Sequence, residues 1–363
     1  CAAKCFGPMA PMPFMMIWSC QSKMARKPGK KWPQSSLSKQ VGDSLTGERV
    51  NPTASVLLFG ATGTAGQGVC RALHRAGYVV TCVLRAGQTP PQPAQPLYAD
   101  ITQPMPHILG QFDAVISCVA SRNGGREDAW AIDHAAQMNI LDVAQRLAVP
   151  QFILLSAICV QKPKLPLQFA KLAFEKELIA SGLTYSIVRP TAFFKSLSGQ
   201  IPRLRAGKAF LVFGNGELTA CKPISDDDLG NFMVDCIANP AKHNKILPIG
   251  GPGPAITPRD QAQALFGLLG RPVKLRRVPV ALLRIICGGL RLAGALIPAA
   301  RRKADLAEIG LYYATESMLI WQGAQRGYSA ELTSSTGTEH LFDHYAEIMR
   351  SGAAIPRGDH SVF

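Results

Sequence analysis

One glycine-rich turn restricts the fold of this chain more than any other feature. The apolar run VLLFG leads directly into ATGTAGQG and then into the helical pattern VCRALHRAG. Gly60, Gly63 and Gly66 permit a tight turn and let backbone amides approach a pyrophosphate closely. The helix that follows offers its positive N-terminal end to the phosphates. A strand, a glycine turn and a helix in this order predict a dinucleotide-binding site that includes Thr62 and Thr64.

Apolar strands alternate with helical segments along most of the chain. The strand patterns YVVTCVLR, DAVISCVA, QFILLSA and TYSIVRP follow the turn, and the long helical pattern DAWAIDHAAQMNILDVAQRLAV lies among them. This alternation predicts an α/β fold with a doubly wound, parallel Rossmann-type sheet and a smaller C-terminal substrate lobe. We expect four regions: a transit or disordered basic segment at 1–50, an NADP-binding Rossmann domain at 51–190, a substrate lobe with returning Rossmann elements at 191–333, and a C-terminal tail at 334–363.

The end of the second predicted strand favours NADPH over NADH as the cofactor. Arg85 stands where NAD-binding folds usually carry an acidic residue for the ribose, and an arginine pairs instead with a 2′-phosphate. Asp100 follows a short strand, and we expect it either beside the adenine or as a helix cap. Ligands of open α/β sheets bind outside the carboxyl ends of the strands. Ala120, Ser156 and Pro190 occupy such ends and are predicted to line the cofactor site.

The charge of the chain is strongly positive and unevenly distributed. The formal net charge is +15, and the first 42 residues contain seven Lys or Arg and no acidic residue. This composition is typical of an organellar transit peptide, with a disordered basic tail as the alternative. No RNA-binding signature or basic recognition helix accompanies the charge, so we predict no nucleic-acid partner.

The longest apolar stretch, VPVALLRIICGGLRLAGALIP, lies in the C-terminal half. Arg284 and Arg291 are seven residues apart and share one helical face, which predicts an amphipathic helix and not a membrane span. We favour core packing of this helix over contact with a membrane surface. The ten cysteines are scattered without ligand spacing, and we predict neither a disulfide framework nor a protein metal site.

Several segments resemble a known enzyme family. GATGTAG, the helix around Lys171 and YSIVRP resemble the atypical, NmrA-like branch of the short-chain dehydrogenase/reductases. Longer segments, among them SCVASRNGG, LLSAICVQKP, YSIVRPTAFFKSLSGQ and YYATESML, resemble the divinyl chlorophyllide a 8-vinyl reductases of chloroplasts. The resemblance implies an NADPH-dependent oxidoreductase acting on a C=C bond. Its reaction would reduce the 8-vinyl group of a chlorophyll precursor to ethyl in the chloroplast.

The segment LPLQFAK departs from the short-chain pattern at one position. Members of that superfamily carry Tyr-x-x-x-Lys, and here Lys171 is present while Leu167 takes the tyrosine position. We expect Lys171 to act in catalysis by holding the nicotinamide ribose, with a solvated surface lysine as the alternative. Carbonyl reduction needs a proton donor for the developing alkoxide, whereas a vinyl group conjugated to a macrocycle delocalises charge into the ring. Leu167 is therefore compatible with alkene reduction and would form an apolar wall.

The resemblance also suggests residues that bind a flat tetrapyrrole. Phe193 and Phe194 would lie against the macrocycle, with Lys195 or Lys222 meeting its carboxylate. The alternatives are ordinary core packing for the phenylalanines and a solvated surface for the lysines. The predicted partner is a chlorophyll-type tetrapyrrole, with peripheral contact to thylakoid or envelope membranes and docking on a photosynthetic complex as further hypotheses.

Two other functions are compatible with the residues. An NADP-binding sensor or assembly subunit of a photosynthetic complex would keep the cofactor site and do no chemistry, and Leu167 suits that role as well. A reductase of another conjugated alkene would keep both the cofactor site and Leu167, but the segments AICVQKP and PTAFFKSLSGQ argue against it. Turnover of a divinyl substrate distinguishes an enzyme from a binding protein.

Overall fold

The computed structural model describes residues 54–352. The predicted transit segment at 1–50 lies outside this range. In the described part, strands and helices alternate along much of the chain, as the sequence pattern predicts. The strands are β1 Ser55–Phe59, β2 Val79–Leu84, β3 Gln95–Tyr98, β4 Ala114–Ser117, β5 Gln151–Leu155, β6 Thr184–Pro190, β7 Phe210–Phe213, β8 Lys245–Gly250, β9 Leu275–Val278, β10 Ile320–Trp321, β11 Tyr328–Ser329 and β12 Ser334–Ser335.

The helices cover the sheet and build the C-terminal lobe. They are α1 Thr64–Arg75, α2 Arg126–Asp128, α3 Gln137–Arg146, α4 Pro166–Ala180, α5 Phe194–Leu197, α6 Ile201–Arg205, α7 Asp226–Ala238, α8 Pro258–Leu268, α9 Val280–Gly294, α10 Pro298–Thr315 and α11 Leu341–Ser351. A π-helical segment, Ala129–Ala136, joins α2 to α3, and a 3-10 turn, Ile158–Gln161, follows β5. The long helix predicted from the sequence is thus present, but its middle is π-helical.

A single parallel sheet organises the chain, which confirms the predicted fold class. The strand order is β12-β8-β6-β5-β4-β1-β2-β3, and each pair of neighbours is parallel. The order reverses direction between β1 and β4, so their carboxyl ends flank a crevice where ligands of such sheets bind. The dinucleotide turn after β1 opens at this crevice.

Two apolar layers bury the two faces of the sheet. On one face α1 and α7 pack through residues such as Val69, Leu73 and Met233. On the other face α3 and α4 pack through residues such as Ile140 and Phe174. A strand that is buried on both faces has a nearly continuous apolar sequence. Such apolar runs are the pattern from which these strands were predicted.

The C-terminal lobe has a core of its own. The parallel pair β7 and β9 and the helices α6, α8 and α11 surround Tyr345, which is fully buried. Helix α8 begins as predicted: Thr257 caps it reciprocally with Asp260, and Pro258 occupies its first turn. Residues after Ser334 contribute α11 to this core.

Helix α9 corrects one expectation. The apolar stretch is an amphipathic helix, but Cys287 is its only buried residue, so core packing was the wrong choice. Ile285 is 71% exposed, Leu292 79% and Leu296 89%. The helix packs against α10 along one side, where a Cβ on Gly294 would lie 2.9 Å from the Cα of Arg301, and none of the described elements covers its apolar side. Within residues 54–352, no helix is long and apolar enough to cross a bilayer.

The contact between α1 and α7 predicts a stability difference between two glycine substitutions. A Cβ on Gly68 would lie 2.1 Å from the carbonyl oxygen of Asp226, whereas one on Gly267 in α8 would meet nothing within 4 Å. Gly68→Ala should lower the free energy of unfolding by about 1–3 kcal/mol because the helices must move apart. Gly267→Ala should be neutral or raise it by roughly 0.5–1 kcal/mol. Urea unfolding measures both, and equal stabilities would contradict the close helix contact.

Candidate active site

The dinucleotide turn uses its three glycines for different purposes. Gly60 has φ +76°, and a Cβ there would lie 2.7 Å from the carbonyl carbon of Cys118. A Cβ on Gly66 would lie 2.0 Å from the carbonyl oxygen of Gly60, so these two glycines allow the turn to close against its neighbours. Gly63 is exposed, and the nearest atom to its Cβ position is 3.5 Å away. Its open backbone is where a phosphate can approach.

The N-terminus of α1 is arranged to accept an anion. Gly63 is the N-cap and offers no side chain to the first-turn amides, and that turn has no acidic residue. Lys195 donates from Nζ to Oγ1 of Thr64 at 3.0 Å, which adds a positive charge at the same place. The residues therefore fit a pyrophosphate. We expected Lys195 to bind the substrate, but the structure places it beside the dinucleotide turn.

Arg85, Gln88 and Asp100 lie after the carboxyl ends of β2 and β3, where we propose that the adenosine binds. Arg85 is exposed, and its backbone N–H donates to Oε1 of Gln88 at 3.0 Å. Gln88 in turn donates to Oγ1 of Thr62 at 3.5 Å, which connects this surface to the glycine turn. Asp100 accepts from the backbone N–H of Thr102 and from its hydroxyl, at 2.9 and 2.7 Å. The backbone hydrogen bond from Thr102 is the main cause that lowers the pKa of Asp100, and the Arg85 charge contributes.

Lys171 forms a buried ion pair that the sequence did not reveal. Its Nζ lies 2.9 Å from Oδ1 of Asp133, and the lysine side chain is 11% exposed. Asp133 is fully buried in the π-helical segment and also accepts from the backbone N–H of Ser121 at 3.3 Å. Its Oδ2 has no hydrogen-bond partner in the described structure. Because Oδ2 is buried, a ribose hydroxyl can approach this pair only from the side of Lys171.

Leu167 lies in an apolar cluster one turn before Lys171. Its side chain packs with Ile309, Tyr312 and Met318, and it is 8% exposed. A Cβ on Gly124 would lie 2.7 Å from Cδ2 of Leu167 and 3.0 Å from Cδ1 of Ile309. The position that carries a phenol in carbonyl-reducing relatives is here an apolar wall covered by α10.

The other predicted strand ends surround this pair of residues. Ser156 ends β5, and its hydroxyl bonds to the buried carboxylate of Glu175. Glu175 also accepts from Nε of Arg189 at 3.1 Å. Ala120 is exposed after β4, and Pro190 is buried at the end of β6. The sequence did not predict the Glu175–Arg189 pair. Because Ser156 bonds to Glu175 of this pair, Ser156 helps to hold the structure around the site.

Three predicted substrate contacts have other roles in the structure. Lys222 is buried and donates to the carbonyl of Thr333 at 2.9 Å and to Oγ of Ser335 at 3.1 Å, so its charge holds the returning chain. Phe194 is buried in the core of the lobe, and Phe193 packs partly buried against the sheet. The two phenylalanines take the alternative of interior packing that the sequence left open, whereas Lys222 is buried and does not take its alternative of a solvated surface.

A cavity of about 720 Å³ lies away from the reacting face of α4. Trp130, Phe169 and Arg301 are among its lining residues. Phe169 is two residues after Leu167 and therefore projects from roughly the opposite side of the helix, about 200° away. This cavity is distinct from the crevice that contains Lys171. Within residues 54–352 no cluster of His, Cys, Asp or Glu is arranged to hold a metal ion.

Known proteins show where this chain belongs. The NAD(P)H-binding family matches residues 60–240. A Zea mays protein named divinyl chlorophyllide a 8-vinyl-reductase, chloroplastic, is 42% identical over 85% of this chain and 83% of its own length. The chain belongs to the divinyl chlorophyllide a 8-vinyl-reductase family. The predicted family, fold and nicotinamide cofactor are thereby confirmed.

Two further proteins are similar to this chain at lower sequence identity. The photosystem II assembly factor Ycf39 of Cyanophora paradoxa is 27% identical over 64% of this chain and 74% of its own length. The NADPH-dependent quinone oxidoreductase of Escherichia coli, solved with NADPH, matches this chain with a TM-score of 0.58 at 18% identity. It covers 81% of this chain and 99% of its own length, and it shares the fold.

The position of Arg85 after β2 predicts how this protein discriminates between NADPH and NADH. Arg85→Asp should weaken NADPH binding by about ten- to a hundredfold, because a charge-assisted phosphate contact is lost and a repulsion is gained. NADH binding should change little. Lys208→Asp changes the same charge at an exposed position of the lobe and serves as the control. Titration of both cofactors measures the effect, and unchanged NADPH affinity in Arg85→Asp would contradict this site.

The buried ion pair predicts that a second substitution can restore stability without restoring turnover. Lys171→Ala leaves the Asp133 carboxylate buried without its partner, which should cost about 3–5 kcal/mol of unfolding free energy. Adding Asp133→Asn should restore most of that stability. Turnover should stay about a hundredfold low in both variants, because the group that aims the nicotinamide is absent. Wild-type turnover in the double variant would remove Lys171 from the active site.

Proposed function

We propose that this protein reduces the 8-vinyl group of divinyl chlorophyllide a, or of a related chlorophyll precursor, to ethyl with NADPH. The observation that carries the proposal is the combination of a lysine, Lys171, at the family's cofactor position with an apolar residue, Leu167, where carbonyl reductases need a phenol. The Zea mays relative with this activity in its name matches 85% of this chain at 42% identity, which supports the proposal. We place the reaction in the chloroplast, as the names of the relatives indicate.

The chemistry of a conjugated vinyl group suits this site. Bound NADPH supplies a hydride. The charge that develops on the substrate spreads into the macrocycle, so no localised alkoxide requires a phenol beside it. The enzyme's main task is then to position the two reactants, and positioning supplies several kcal/mol of catalysis. Leu167 contributes by keeping water out of the reacting face.

Different residues of the chain position different parts of the cofactor. The open backbone at Gly63 and the Lys195 ammonium hold the pyrophosphate. Arg85 meets the 2′-phosphate at the exposed end of β2. The pair of Lys171 and Asp133 fixes the ribose next to the nicotinamide, so that the reactive ring is presented to the crevice.

The second candidate is an NADP-binding assembly subunit without catalysis. The similarity to the Cyanophora paradoxa assembly factor supports it, and Leu167 suits it too. The reductase is preferred because the family relatives are more similar, at 42% identity, and match more of the chain. Docking on a photosynthetic complex is compatible with either function.

A turnover assay tests the proposal directly. Purified protein with NADPH and divinyl chlorophyllide a should oxidise NADPH, and the macrocycle's absorbance should move to shorter wavelength as its conjugation shortens. Monovinyl chlorophyllide is the matched control and should give no oxidation. NADPH binding without turnover of the divinyl compound would favour the assembly subunit instead.

We also propose that the exposed face of α9 docks on an anionic membrane surface. Ile285 and Leu292 on α9, and Leu296 just after its C-terminal end, present apolar side chains to solvent. The surrounding residues 271–303 carry positive charges and no acidic residue at all: Arg271, Lys274, Arg276, Arg277, Arg284, Arg291, Arg301, Arg302 and Lys303. An apolar helix face bordered by cations is complementary to anionic headgroups over an acyl layer.

Vesicle sedimentation tests the membrane contact. The protein should bind vesicles containing phosphatidylglycerol and release them as salt rises, with weaker binding to neutral phosphatidylcholine. The triple variant Ile285→Ser, Leu292→Ser and Leu296→Ser should lose binding, whereas Leu109→Ser, at a position 72% exposed elsewhere, should keep it. Binding that is unaffected by the triple substitution would contradict this face, and a dimer that the variant disperses would show that a second copy covers it.

A further inference from the structure

Two adjacent tyrosines on α10 have different surroundings. Their rings meet edge to face with centroids 5.7 Å apart. Tyr312 is 4% exposed, and its hydroxyl donates to the carbonyl oxygens of Cys159 and Lys162 at 3.0 and 3.3 Å. Tyr313 is 43% exposed, so its ring is open to a ligand. Tyr312 therefore stabilises the 3-10 turn after β5. In the described structure, the Tyr313 hydroxyl makes no such hydrogen bond to a carbonyl oxygen.

Helix α10 brings Tyr313 toward the reacting face of α4. Ile309, one turn earlier on α10, touches the same point beside Gly124 as Leu167 does. Cys159, which is 3% exposed, lies beneath the same part of α10, where its carbonyl oxygen accepts from Tyr312. Residues four apart on a helix lie on the same face, so Tyr313 is on the side of α10 that Ile309 turns toward Leu167 and Gly124.

The other acids that the structure brings to this region have different partners. The Ser156 hydroxyl bonds to Glu175, and the Lys171 ammonium pairs with Asp133. The Cys159 thiol is buried, and burial raises its pKa. Burial of the hydroxyl also raises the pKa of Tyr313 well above its ordinary value, so this phenol keeps its proton at neutral pH. Tyr313 combines a retained proton with an open approach.

We propose that Tyr313 is the proton donor of the vinyl reduction, a catalytic tyrosine supplied by α10 in place of the phenol that Leu167 lacks. The inference rests on the proposed function. After a hydride has reached one vinyl carbon, the Tyr313 O–H bond breaks and a C–H bond forms at the substrate's carbanionic carbon, whose electron pair it uses. The phenolate then recovers a proton from water through the exposed side of the ring.

The test compares Tyr313→Phe with Tyr312→Phe. Tyr313→Phe should lower kcat by about 10²–10⁴-fold, which is the range that general acids contribute. Its melting temperature, its affinity for NADPH and its binding of the divinyl compound, measured by fluorescence quenching without turnover, should match the wild type. Tyr312→Phe should lower the melting temperature instead, since two carbonyl groups lose their donor.

The outcomes separate this inference from the function on which it rests. If the wild type is active, and Tyr313→Phe has the same kcat and the same solvent deuterium isotope effect, then the role of Tyr313 is overturned. The proposed reductase function is not affected by that result. A wild type that binds NADPH but does not turn over divinyl chlorophyllide overturns the proposed function and this role together. A much slower, normally stable and normally binding Tyr313→Phe supports both.

Discussion

The ion pair between Lys171 and Asp133 is the interaction on which the site depends. It joins α4 to the π-helical segment, and both groups are almost completely removed from solvent. Breaking such a pair leaves an uncompensated charge in the interior, so the geometry is held strongly once it forms. A π-helical turn changes the direction in which side chains project, and such turns often occur at functional sites. Here Asp133 of the π-helical segment meets Lys171, the lysine that we propose holds the nicotinamide ribose.

The reacting face follows from how the surrounding elements pack on this pair. Leu167 lies one turn before Lys171, and α10 covers it with Ile309. The same helix carries Tyr313, so the element that excludes water from the face also provides its proposed acid. Short-chain enzymes that reduce carbonyls place both groups on one helix. In this chain the lysine and the proposed acid come from different helices, which suits a substrate whose charge spreads over a wide ring.

The sequence predicted the parts of the site that depend on local pattern. The glycine turn, the strand ends and Lys171 are readable because strand, turn and helix periodicity are local. Asp133, the Glu175–Arg189 pair and the bond from Lys195 to Thr64 depend on contacts between distant segments, which no single stretch displays. Helix α9 shows the same limit, since its periodicity predicts an apolar face but not what covers that face.

The most direct measurement of the central claim follows the hydride into the product. NADPH that carries deuterium on the transferred position of nicotinamide C4 is supplied with divinyl chlorophyllide a, and the product is analysed by mass spectrometry and NMR. The account predicts a single deuterium, located in the new 8-ethyl group. Deuterium that remains in the cofactor, or that appears elsewhere on the macrocycle, would contradict hydride delivery to the vinyl group at the Lys171 site.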